Sequence, residues 1–138
     1  MTDDGNGGRD PVAALDRDER VELAVDLLAT VDADELRLAE VVDRIETVTT
    51  DPALTRTILD AAEKRGVLSR DGDRVRLRTR RGGVRTEPQV VRREGTFACR
   101  RCGASLSTGH FVRLEAGELG PFGPECVKAV LAGASGPV

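Results

Sequence analysis

Residues 51–77 read DPALTRTILDAAEKRGVLSRDGDRVRL, and this stretch decides how the N-terminal part of the chain folds. Thr50 or Asp51 supplies an N-cap, and Pro52 suits a first helical turn, where its missing N–H costs nothing. Leu54, Ile58, Ala61 and Ala62 form one buried face. Lys64 and Arg65 suit the negative end of the helix dipole, and Gly66 stops the helix. After Val67-Leu68-Ser69-Arg70, the pair Asp71-Gly72 is a two-residue hairpin signal. The run Arg74-Val75-Arg76-Leu77-Arg78 then alternates charge with apolar side chains, as a half-buried strand does.

Working back toward the N-terminus, Val21, Ala24, Val25 and Leu28 give the stripe of an amphipathic helix. Leu38, Val41, Val42, Ile45 and Val48 repeat it in a second helix, which Asp34 is placed to cap. Residues 1–16 are rich in Gly and Asp and read as a flexible tail. Three helices followed by a hairpin, over residues 17–80, resemble the winged helix-turn-helix domains of transcription regulators, including the MarR-like group. The matching residues are Leu54 to Leu77, above all Ala61-Ala62-Glu63-Lys64-Arg65-Gly66-Val67-Leu68 with the hairpin behind them. In such a domain the third helix enters the major groove, so its exposed Thr55, Arg56 and Thr57 become base- or phosphate-contacting candidates. Arg74, Arg76 and Arg78 form a ridge on the wing suited to phosphate.

The second informative stretch is Cys99-x2-Cys102-x7-His110-x15-Cys126, which gathers every cysteine and the sole histidine of the chain. Thiolate and imidazole donors so close in sequence suit a tetrahedral zinc ion. Gly103 permits the tight backbone of a knuckle, and Cys126 follows Gly123-Pro124-Glu125 at the start of a helix, where the dipole favours a thiolate. Cys99-Arg100-Arg101-Cys102-Gly103 with Phe122-Gly123-Pro124-Glu125-Cys126 resembles a treble-clef or zinc-ribbon-like module of knuckle, hairpin and helix over residues 96–138. The chain departs from that pattern because Cys126 has no Cys-x2-Cys partner, and His110 is the expected fourth ligand of a structural Zn2+ site. Two alternatives stand beside it. A disulfide with a spare thiol needs an oxidising compartment, for which no signal segment speaks. A catalytic zinc with His110 as acid or base lacks the His-x-Glu pair of zinc deaminases, since Phe111 and Val112 follow.

The 138 residues suffice for one ordinary domain or two small ones. No apolar run is long enough to span a membrane, and a cytoplasmic location is expected. Lys64 and Lys128 are the only lysines in an Asp-rich chain, a balance that resembles proteins of salt-loving archaea. The net charge of −3 hides an asymmetry. Residues 1–48 carry −9, residues 49–98 carry +5 and residues 99–138 carry +1. Phe97, Phe111 and Phe122 all fall in the cysteine segment, so the rest of the core is aliphatic.

The expectation is therefore an α+β protein. A winged helix-turn-helix over 17–80 is followed by a basic linker over 81–95, with a strand at Gln89-Val90-Val91, and a zinc module over 96–138. Double-stranded DNA is the expected partner of a transcription regulator, with a protein partner for the zinc module and a homodimer as further expectations. A protein-binding adaptor of the transcription machinery is the alternative, and a zinc hydrolase a remoter one. No phosphate loop or Ser/His/Asp set is present, so no enzyme is expected.

Overall fold

The computed structural model describes residues 10–78 and 88–132. Its elements run α1 (Arg17–Thr30), β1 (Glu35–Arg37), α2 (Leu38–Ile45), α3 (Pro52–Lys64), β2 (Leu68–Asp71), β3 (Arg74–Leu77), β4 (Gln89–Ala98), β5 (Ser105–Leu114), β6 (Gly117–Phe122) and α4 (Pro124–Leu131). The fold is α+β, with two antiparallel three-stranded sheets in the orders β1-β3-β2 and β4-β5-β6.

Local chemistry sets the boundaries of α3. Asp51 is the N-cap and accepts the Ala53 N–H at 3.1 Å, with Pro52 directly behind it. At the other end Gly66 takes a φ of +77°. Val67 N–H returns to the Ala62 carbonyl and Gly66 N–H to that of Glu63, the paired closure of a Schellman motif. Leu54, Ile58 and Ala62 are buried as the periodicity implies, Leu59 joins them, and Ala61 is half-buried. The hairpin turn lies one residue later than expected. Asp71 still pairs with Arg74, so Gly72 and Asp73 make the turn, with Gly72 at φ +65°.

The second helix differs from its expectation at both ends. Residues 35–37 leave the helix to form β1, whose Leu36 pairs with Val75, and the Asp34 carbonyl accepts the Leu77 N–H instead of the side chain capping α2. The start of α2 is closed by Glu40, which accepts the Arg37 N–H at 2.9 Å. Its end comes at Ile45, before the β-branched run Thr47-Val48-Thr49, although Val48 still packs into the core.

Residues 10–16 were expected in the flexible tail but are packed. Val12 is fully buried, Asp10 accepts the Val12 N–H, and Asp16 caps α1 reciprocally with Glu19. The expected linker is corrected over 88–95, because β4 begins at Gln89 and pairs with β5 along its length, with a bulge between Glu94 and Phe97. Residues 81–87 of that linker, Arg80 and the ends of the chain lie outside the described residues.

The helical part and the cysteine part share one core rather than folding side by side. α1 is buried on two sides, through Leu23, Ala24, Val25, Leu27 and Leu28, because α3 covers one flank and β5 and β6 the other. Polar contacts reinforce the seam. Asp26 accepts the N–H of Ala116 in the β5–β6 turn at 2.9 Å, and Asp32 N–H bonds the Leu131 carbonyl at 2.9 Å. Arg100 reaches the Thr47 carbonyl and the Asp10 carboxylate.

Candidate metal centre and basic face

β4 ends by delivering Cys99 into a turn in which Gly103 N–H returns to the Cys99 carbonyl and Cys99 N–H bonds Ala104. Gly103 adopts φ +80°, the left-handed geometry that lets the chain reverse after Cys102. β6 then leads through Gly123, the N-cap of α4, and Pro124 into the first turn that carries Cys126. The thiol sulfurs of Cys99, Cys102 and Cys126 all lie within 4.8 Å of one another. Tetrahedral zinc with Zn–S bonds of about 2.3 Å requires sulfurs roughly 3.8 Å apart, so the three donors are placed to close on one ion with little movement.

Electrostatics favour a thiolate at Cys99. The Cys99 sulfur accepts the backbone N–H groups of Arg101 and Gly123, each at 3.4 Å. Burial pushes its thiol up, and the N–H groups of Cys102, Gly123 and Arg101 outweigh that and bring it down to about 7. At Cys126 burial and the neighbouring sulfurs raise the thiol, opposed by the Arg101 guanidinium, whose Nη1 lies 3.7 Å from the sulfur. Arg101 is itself anchored by Asp43 at 3.5 Å. Cys99 and Cys126 are buried, and Cys102 is exposed.

His110 does not join them. It sits on β5 opposite Phe122 of β6, and its Nδ1 lies 3.2 Å from the Phe122 carbonyl oxygen. Sequence spacing made it the fourth ligand, but strand pairing holds it on a backbone carbonyl and outside the sulfur cluster. The arginines around the centre were not anticipated. Arg44 is 6% exposed, and Arg100 and Arg101 clamp the knuckle to the N-terminal half. The only sequence signal for this was the doublet Arg100-Arg101 between two cysteines.

The expected DNA-contacting residues divide. Arg56 and Thr57 are exposed on α3, with the Thr57 hydroxyl donating to the Ala53 carbonyl, whereas Thr55 is half-buried. Arg74 is held by Glu35 at 2.6 Å, which partly neutralises it. Arg56, Arg76 and Arg78 are exposed and make no ion pair with the described residues. Arg70 spans Asp60 at 3.3 Å and Glu63 at 3.1 Å, offsetting the two carboxylates that weaken α3 as an anion-binding face.

A model for a family of unknown function, DUF5830, matches residues 20–134, and the chain belongs to that family. The matched span includes both sheets, α3 and all three cysteines. Neither a curated protein nor a solved structure matches the chain. Among the described residues no helix is long and apolar enough to cross a membrane.

Proposed function

We propose that the protein binds double-stranded DNA as a transcription regulator, using α3 and the β2–β3 hairpin in the manner of a winged helix, and that its three cysteines hold a zinc ion as a structural staple. The element order α1-β1-α2-α3-β2-β3, with β3 between β1 and β2, supports this reading, since it sets a short strand, two helices and a wing in the sequence such a domain uses. The observation that carries it is the division of the arginines. Arg70 takes up the carboxylates of α3, while Arg56, Arg76 and Arg78 present charge without an ion pair among the described residues. Phosphate contacts need cations of that kind.

In the zinc reading, the ion ties the end of β4, the knuckle and the start of α4 together where α4 meets the helical part. Three soft sulfurs, with backbone N–H donors on that of Cys99, suit zinc better than a hard cation. The test is duplex binding across a salt series with wild type and with Arg56, Arg76 and Arg78 all replaced by alanine. Each lost phosphate contact should flatten the log–log salt slope by about 0.9. Salt-independent binding, or a triple variant indistinguishable from wild type, would remove DNA as the partner and leave the adaptor reading.

A further inference from the structure

The soft donors of this chain are used up before a tetrahedron is complete. Cys99, Cys102 and Cys126 are the only cysteines and His110 the only histidine in the whole sequence. The His110 ring lies against the Phe122 carbonyl, and among the described residues no carboxylate oxygen joins the three sulfurs. Zinc takes four donors, and three protein ligands with an open position mark a site that exchanges its fourth. Cys102 is exposed while its two companions are buried, so solvent reaches the cluster from the Cys102 side.

The charge balance indicates what can enter. A divalent ion with three thiolates carries one net negative charge, which ordinarily discourages a second anion. Here the Arg101 guanidinium stands at the edge of the cluster, 3.7 Å from the Cys126 sulfur and fixed by Asp43. Shared between Asp43 and the Cys126 sulfur, it offsets part of the added charge of an anionic donor, and a centre of three sulfurs favours a soft one.

We infer that the metal held by Cys99, Cys102 and Cys126 keeps an exchangeable fourth position and that this position takes a small external thiolate. The inference rests on the reading of these cysteines as a metal centre. In the exchange a thiol gives its proton to solvent, its sulfur replaces a metal-bound water, and the metal keeps its oxidation state.

The test uses the full chain loaded with zinc for X-ray absorption and with cobalt(II) for optical spectra, each titrated with 2-mercaptoethanol. The zinc shell should pass from three sulfurs and one light atom to four sulfurs. The sulfur-to-cobalt charge-transfer band should grow by about one third, in proportion to the donor count. His110→Ala should load with metal and respond to the thiol as wild type does. A light atom that survives the titration, or one that vanishes in His110→Ala, overturns the open position while leaving the metal centre standing. A chain that binds neither ion defeats the metal reading itself, and this inference with it.

Discussion

Arg44 donates from Nη2 to the carbonyl oxygen of Ala132 at 2.9 Å, a bond from the first half of the chain to the C-cap of α4. The same guanidinium donates to Ala129 at 2.9 Å and Val130 at 3.2 Å. A buried cation thus caps the negative end of a short helix, and the planar fork of arginine serves these three carbonyls and that of Glu40 at once. Arg44→Met should leave those acceptors without this donor, a loss of about 1–3 kcal/mol measured by urea unfolding. Arg44→Lys should recover only part of it. A neutral Arg44→Met variant would show that α4 is held by its apolar face alone.

Gly120 lies at φ +154°, and a Cβ there would stand 2.7 Å from the His110 carbonyl oxygen. Gly109 across the sheet is equally crowded, with Pro121 Cβ at 2.9 Å. Gly120→Ala should therefore cost at least about 1–3 kcal/mol through overpacking and backbone strain, read as a lower denaturation midpoint. An unchanged midpoint would mean that β5 and β6 can separate more freely than their packing implies.

Such features show where sequence reading reached its limit. The caps of α3 were legible because Asp51, Pro52 and Gly66 act on their own neighbours. The β2–β3 hairpin was legible within one residue, since alternation in Arg74–Leu77 reports a two-faced environment directly. β1 is only three residues long and gives no period to detect. The three cysteines were legible as a group, but His110 has the spacing of a ligand and the pairing of a strand residue, and only the register with Phe122 distinguishes the two. Arg44 carried no signal in the sequence, because its partners on α4 are backbone carbonyls more than eighty residues away, which side-chain patterns cannot reveal.

Glu118 provides a pH test of the second sheet. Arg93 donates to both of its oxygens at 2.8 and 2.9 Å, and Arg113 adds a bond at 3.2 Å. The Arg93 hydrogen bonds, opposed by partial burial and helped by Arg113, hold this carboxyl below its ordinary range. A carboxyl lowered in the folded state stabilises fully above its unfolded value, near 4.3, and the benefit fades as pH falls through the folded value. Glu118→Gln should thus melt below wild type at pH 7, with the gap closing under about pH 4 and narrowing in salt. A gap independent of pH would assign the loss to packing.

Arg70 bears on the proposed DNA face through its ion pairs. By pairing with Asp60 and Glu63 it offsets two carboxylates on α3. Arg70→Ala should weaken duplex binding, and adding Asp60→Asn and Glu63→Gln should restore it by removing the repulsion at its source. Binding that stays weak in the triple variant would mean Arg70 is itself a phosphate contact.

Cys102 separates the metal's contribution to stability from that of the cysteine side chains. Its side chain is exposed, whereas the Cys99 sulfur is buried and accepts two backbone N–H bonds. Without metal, Cys102→Ser should therefore change stability by less than about 0.5 kcal/mol, as surface substitutions usually do. In the proposed zinc site the same change removes one of three sulfur ligands and the stabilisation that follows from preferential binding to the folded state. Thermal unfolding of wild type and Cys102→Ser, each with zinc and with a chelator, isolates that linkage as the difference of two differences. The expected outcome is a large midpoint rise with zinc for wild type and little for the variant. Equal rises in both proteins would place the stabilising ion at some site other than these cysteines.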